Sequence, residues 1–272
     1  MNQIPDAGEA LIRLLAEYSR TDCQCNDNDR EVILFTSYSN ASTGFRSLTT
    51  ETQSHVIVLC AKMGEHVDSC FFCVDIDHFL HVYYDIPREF KHFSQVIQAG
   101  TPMRLFLEWK ATGSNDELKE AEEMYGVFHL HLRSLFNRCK ALLGESEYFD
   151  LDKSAPGTME RLIVVHHDAL YLSLEDVKLC VQECILGACP SAQQYVDMSV
   201  YIPGASVLLP GSASPGSQIA LLPAVTCENV ATNLSHYWIH CPPGRNREQQ
   251  GRFIKLVVGN GQTVEFKIVL GE

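Results

Sequence analysis

The stretch His81-Val82-Tyr83-Tyr84-Asp85-Ile86-Pro87-Arg88-Glu89-Phe90-Lys91-His92-Phe93-Ser94-Gln95-Val96-Ile97-Gln98-Ala99-Gly100 decides how the fold is read. Its first six residues are rich in Val, Tyr and Ile and predict a strand. Pro87 suits the first turn of a helix, where its missing N–H costs nothing. Phe90, Phe93 and Ile97 then form an apolar stripe, with Arg88, Lys91, His92 and Gln95 facing elsewhere, so Pro87 to Gln98 reads as an amphipathic helix. Gly100 supplies a left-handed stop. Met103-Arg104-Leu105-Phe106-Leu107-Glu108-Trp109 alternates and reads as the next strand.

The same order recurs downstream. Ala169 to Leu174 reads as a strand, Glu175 to Leu186 as a helix, Gly187 as its stop and Tyr195 to Ile202 as a strand. Ser173 and Asp176 resemble a capping box, with Asp in place of the usual Glu or Gln. Val177, Cys180, Val181 and Cys184 supply the buried stripe. Repeated strand–helix–strand units without a catalytic signature imply a scaffold that works by shape.

Working outward, Ala10 to Ser19 predicts an amphipathic helix with Leu11, Leu14, Leu15 and Tyr18 on one face. Glu31 to Thr36, His55 to Ala61 and Ser69 to Ile76 read as strands. Ser37 to Gln53, rich in Ser and Thr, reads as a loop. Val127 to Leu135 alternates, with Phe128, Leu130 and Leu132 on one strand face and His129, His131 and Arg133 on the other. Asn137 to Thr158 carries Glu145, Glu147, Asp150 and Asp152 and then Pro156-Gly157, and reads as a linker. Arg161 to Val165 is a strand. Ala205 to Gly216 is a Pro/Gly/Ser-rich loop, and Pro223 to Trp238 holds one weak helix. Phe253 to Val258 and Thr263 to Leu270 form a hairpin across Gly259-Asn260-Gly261. The expected division is a first domain at 1–136, a linker at 137–160 and a second domain at 161–272.

The 272 residues carry a net charge of −13, which argues against wrapping of nucleic acid by the whole surface and leaves room for one small basic face. No apolar run approaches the roughly 20 residues needed to cross a bilayer. Met1 to Glu9 lacks the basic flank of a signal peptide. The 11 cysteines are odd in number and scattered through expected strands and helices, which suits free, buried thiols in a reducing compartment.

Chemical motifs are few. Cys70-Phe71-Phe72-Cys73 has zinc spacing, with His66 nearby, but two aromatic residues inside an apolar run favour a buried strand. Cys23 and Cys25 lack a partner pair. Cys180 and Cys184 are core positions by periodicity. His129 and His131 could ligate a metal from one strand face, yet no second pair completes the set. His166 and His167 are strand neighbours on opposite faces, so with Asp168 they make no relay. Gly259-Asn260-Gly261 is a turn, because no helix start follows it. No metal, cofactor or catalytic residue is expected.

Three stretches resemble the sliding-clamp fold, and within it the Hus-type subunit of the heterotrimeric nine-one-one checkpoint clamp: Val82 to Trp109, Arg161 to Asp168 leading into Leu172 to Glu183, and Val196 to Pro203. The resemblance implies an α+β fold with two pseudo-repeated domains of antiparallel sheet backed by helices. Against that pattern, Asn137 to Thr158 and Ser206 to Arg252 read as insertions and the second domain as shortened. It also implies a non-enzymatic nuclear protein that joins two related subunits, is placed on duplex DNA by a clamp loader, slides without reading sequence and recruits checkpoint and repair proteins. By the same analogy Arg13, Arg20, Arg88, Lys91, His92 and Lys178 face DNA. Leu142, Leu143, Tyr148, Phe149 and Leu151 anchor the crossover or line the surface where partner peptides dock. The alternatives are a homomeric replicative-type clamp, expected to self-associate, and an unrelated α+β adaptor.

Overall fold

The computed structural model describes residues 33–35, 38–47, 56–62, 69–83, 86, 91–213, 217, 219–224, 234–240, 252–257 and 263–270. The expected helix at 10–19 and the turn at 259–261 lie outside them. The described chain divides into two compact units, one of residues up to Val96 with 206–220, the other of 97–205 with those from Leu221 on. This differs from the expected division at 137–160. Every strand pairing among the described residues is antiparallel, and helices are few, so the fold is α+β.

The first unit runs β1 (Ile33–Phe35), α1 (Tyr38–Ser47), β2 (Val56–Lys62), β3 (Ser69–Asp75), α2 (Ile76–Tyr83) and β4 (Phe93–Val96). The second begins with β5 (Leu105–Thr112), α3 (Asn115–Leu143), β6 (Ser146–Ala155), β7 (Thr158–His167), β8 (Ala169–Tyr171) and α4 (Leu174–Leu179). Strand β9 (Ser206–Leu208) returns to the first unit; β10 (Leu222–Pro223), β11 (Arg252–Val257) and β12 (Thr263–Leu270) complete the second.

In the first unit the strand order is β1-β3-β2-β4-β9. Helix α1 stands where a loop was expected at 37–53. The Ser and Thr there are outweighed by Tyr38, Ala41 and Phe45, spaced to pack one face on Val58, Cys60, Cys73 and Val96. Helix α2 overturns the strand expected at 81–86. Phe79 and Tyr83, one turn apart, both bury against Phe93. The Tyr83 hydroxyl donates to the Pro210 carbonyl at 2.6 Å. The helix expected at 87–98 is also overturned: Phe93–Val96 is a strand between β2 and β9. All four of its residues are buried, Ser94 and Gln95 included, a two-sided burial that suits an interior strand.

In the second unit a four-stranded sheet, β10-β6-β7-β5, carries α3 on one face. This helix of 29 residues replaces the strand expected at 127–135 and the first part of the expected linker. Its true period shows only along its length: Ala121, Tyr125, Phe128, Leu132, Phe136, Cys139 and Leu143 are buried, and Leu130 is 70% exposed. Ser114 and Glu117 close a capping box at its start. Gly144, at φ 84°, ends it with its N–H on the Lys140 carbonyl. The rest of the expected linker is the β6–β7 hairpin, turned at Pro156-Gly157, with Gly157 at φ 78°.

A second sheet, β11-β12-β8, includes the expected C-terminal hairpin, with Val264 and Ile268 buried and Glu265 and Lys267 exposed. The helix expected at 175–186 is present as α4, which continues as a π-helical turn at Cys180–Ile185. The Ser173 side chain accepts the Asp176 N–H, and Val177, Cys180, Val181 and Cys184 are all buried. The strand expected at 195–202 is not formed. Asp197 turns its carboxylate onto the Ser199 N–H and nucleates a single 3₁₀ turn, Met198–Val200. Tyr195 and Asp197 still cover the edge of β5, bonding Lys110 and Glu108 through their backbones. Pro223 to Trp238 contributes a short 3₁₀ turn, Leu234–Tyr237, among its described residues.

The repetition expected at 81–109 and 169–202 is therefore not formed among the described residues, but another is present. Strand–helix–strand–strand occurs as β1-α1-β2-β3 and as β5-α3-β6-β7. In each, the first strand pairs with the third, the last two form a hairpin, and a further antiparallel strand flanks the second.

Candidate functional site

The β6–β7 hairpin sets up a cluster between sheet and helix. Tyr148, Asp150 and Asp152 alternate onto one face of β6, and Asp152 is directly opposite Arg161 on β7. Helix α3 lays Glu122, Tyr125, His129 and Arg133 over that face at i, i+3, i+7 and i+11. Arg161 Nη2 donates to both carboxylate oxygens of Glu122 at 2.8 and 2.6 Å. Its Nε lies 3.7 Å from Asp152 Oδ1, and its guanidinium sits 4.2 Å over the Tyr125 ring. One turn on, His129 Nε2 is 3.4 Å from Asp150 Oδ2. The His129 ring stacks on Tyr125 at 5.9 Å and meets Tyr148 at 5.5 Å, while Arg133 lies 5.4 Å over Tyr148.

Burial governs the electrostatics. It pushes the Tyr125 hydroxyl well above its usual range, with the Asp150 charge adding to it, and pushes Tyr148 up to about 12. At Arg161 burial opposes the charge, but Tyr125, Glu122 and Asp152 outweigh it and hold the proton more tightly than usual. Both tyrosines stay protonated at neutral pH, and Glu122 faces the Arg161 guanidinium. The network is only partly buried, with the Glu122 side chain 53% exposed, so its ion pairs add little net stability. Its mechanical effect is to fix the rotation of α3 about its own axis. The outer face is then determined: Val127 (46% exposed), Leu130 (70%) and Leu142 (44%) point to solvent.

The opposite face of the sheet holds separate groups. Lys110 Nζ bridges Glu108 at 2.7 Å and Asp197 at 2.6 Å. His166 Nε2 donates to the His236 carbonyl at 2.6 Å; burial, with Arg104 nearby, holds its pKa down to about 3. His167 points the other way, to Ser146 Oγ at 2.9 Å and the Phe136 ring, and burial holds it down to about 4. The two histidines make no relay, as their strand positions imply. His129 and His131 are not a pair either: on a helix they diverge, and His131 Nδ1 bonds the Val127 carbonyl. Cys70 and Cys73 lie in β3, and burial pushes the Cys73 thiol up to about 12. Cys180 Sγ is 3.3 Å from the Tyr171 hydroxyl, both deep in the core. Among the described residues no group of three or more His, Cys, Asp or Glu could hold a metal ion.

Of the residues expected to face DNA, Arg13, Arg20 and Arg88 lie outside the described residues. In the first unit Lys91 sits 4.8 Å over the Tyr83 ring, and His92 Nδ1 donates to the Ala213 carbonyl at 2.9 Å. In the second unit Lys178 is exposed on α4, where Glu175 is exposed too. Of the expected docking residues, Leu143, Tyr148, Phe149 and Leu151 are buried and anchor the sheet; Leu142 is on the surface. The sequence reading missed Tyr125 and Arg161 and took Asp150 for a linker acid. The i, i+3, i+7, i+11 spacing from Glu122 would have found the helical half, had 115–143 been read as one helix.

Neither a model of a known protein family nor a curated protein matches this chain.

Proposed function

We propose that the chain is a non-enzymatic subunit of a larger protein assembly. The observation that carries this reading is α3: its inner face consumes its ionisable groups in contacts with the sheet, while its outer face offers Val127, Leu130 and Leu142 to solvent. Polar groups that pair between a helix and its sheet serve positioning, and exposed large apolar groups on a rigid element serve contact. In its specific form the proposal follows the sequence resemblance: a subunit of the heterotrimeric checkpoint clamp, in the nucleus, closing a ring around DNA with two related subunits. The doubled strand–helix–strand–strand motif supports that form, because ring subunits are built from repeated sheet-and-helix pieces. So does β11, which among the described strands pairs with β12 alone and leaves an edge for a neighbouring strand.

The test is co-expression with the two clamp subunits, followed by sizing. A stable complex with one copy of each chain, retained on closed circular DNA, is the expected result, and charge reversal at Arg88 and Lys91 should loosen that retention. A chain that stays apart from both subunits ends the clamp form and leaves the adaptor form. Turnover of a substrate by the purified chain, lost in His129→Ala or Asp150→Asn, would end the non-enzymatic reading altogether.

A further inference from the structure

Three properties of the outer face of α3 point to one occupant. The first is its seam. Glu123, Val127, Leu130, Ser134, Asn137 and Ala141 recur at spacings of four and three and, by helical periodicity, share the side opposite the buried stripe; all six are exposed or nearly so. The second is Gly126, on the same side. A mid-helix glycine costs roughly 1 kcal/mol relative to alanine. Nothing among the described residues requires it, because a Cβ built there meets no atom of theirs within 4 Å. A helix backbone approaching from outside would require it.

The third property is charge. From Asp116 to Glu123 the helix carries Asp116, Glu117, Glu120, Glu122 and Glu123 against Lys119 alone. From Met124 to Gly144 it has no acid, and His131, Arg133, Arg138 and Lys140 occur instead. This polarity suits the helix dipole. By helical periodicity Asp116, Glu120 and Glu123 at one end and His131 and Arg138 at the other lie on or beside the outer face, which makes that face complementary to itself when two copies run in opposite directions.

We infer that α3 packs antiparallel against α3 of a second copy, about a two-fold axis between Val127 and Leu130. At 1.5 Å rise per residue, Glu120 lies roughly 13 Å from that axis, and Arg138 of the second copy lies roughly 14 Å from it on the same side. Both project from the same flank of the seam, so they meet. Val127 of each copy packs on Leu130 of the other, and Gly126 lets the backbones close. Such an isologous contact closes at two copies and leaves the sheet edges free; it rests on the reading of the α3 outer face as a contact face and names a second copy as its occupant.

Sedimentation equilibrium of the full chain tests this. The expected result is a monomer–dimer equilibrium that weakens at high salt, because exposed charge pairs are screened. Leu130→Asp should weaken dimerisation by about tenfold or more, since it places a charge at the centre of the contact. Gly126→Leu should do the same while leaving the monomer at least as stable. Glu120→Arg and Arg138→Glu should each weaken the dimer, and the double variant should recover it. Unfolding midpoints of each variant, read at dilutions where the chain is monomeric, separate lost pairing from lost folding. A chain monomeric at every concentration, or a dimer indifferent to both Leu130→Asp and Gly126→Leu, overturns the inference. Neither outcome touches co-purification with clamp subunits.

Discussion

The two strand–helix–strand–strand motifs share a topology and differ in how the helix is held. Helix α1 has 10 residues and meets its sheet through Tyr38, Ala41 and Phe45; its charged residue, Arg46, is exposed. Helix α3 has 29 residues, seven buried positions and a second, polar stripe tied to Asp150 and Arg161. Apolar contact alone fixes that a helix packs. It fixes less well how the helix is rotated, because side chains of similar size can slide past one another. Hydrogen-bonded charges have one acceptable geometry. The longer motif thus presents a defined outer face.

The largest expected effects come from breaking each helix at its aromatic anchor. Phe128→Ala should cost about 3–5 kcal/mol, and Phe45→Ala about 3, each through a cavity that its neighbours fill incompletely. Urea unfolding measures the loss, and hydrogen exchange shows where it falls. If Phe45→Ala loosens α3 as much as α1, the two motifs are one cooperative piece and the contrast between them collapses.

Acid should sharpen the contrast, because His166 and His167 both lie in β7. Their pKa values fall from 6.5 to about 3 and about 4 on folding. The unfolded chain therefore binds the extra protons, so the contribution of these two histidines is flat above pH 7 and lowers stability as pH drops from about 6.5 towards 4, by at most roughly 2.7 kcal/mol per pH unit and less after solvent screening. His167→Gln should remove about half of that slope in urea midpoints collected from pH 7 to 4.5. An unchanged slope would mean that His167 titrates normally.

Smaller effects test the ends of α3. Gly144→Ala places a Cβ against the Asp168 carboxylate in a left-handed conformation, and should cost about 1–3 kcal/mol. Ser114→Ala removes the capping box and should cost about 1 kcal/mol. Ser173→Ala, at the start of α4, should cost about the same. Thermal melts resolve all three, and a silent Ser114→Ala would show that α3 is held by its faces alone.

What was legible depended on how local the signal was. The Ser173–Asp176 cap, the stripe Val177, Cys180, Val181, Cys184 and the hairpin of β11 and β12 are each written within about twenty residues, and each is formed. The candidate site was not legible in that way. Phe128-His129-Leu130-His131-Leu132 alternates like a strand over five residues, and the helical period emerges only when Ala121 and Leu143 are counted with it. The misreading then separated Tyr125 and His129 from the acids they face. At Phe93–Val96 the local preference was helical after Pro87, but pairing on both sides with β2 and β9 decided for strand.

The sequence by itself determined the α+β composition, most of the strands and the cap of one helix, because backbone propensity, side-chain alternation and capping act between near neighbours in the chain. Only the tertiary structure decided which strands adjoin, that 115–143 is one helix, and that Asp150 and Arg161 meet His129 and Glu122 beneath it. Those contacts join residues 21 to 39 positions apart. Their free energy exists only after the sheet has formed, so no short window of sequence carries it.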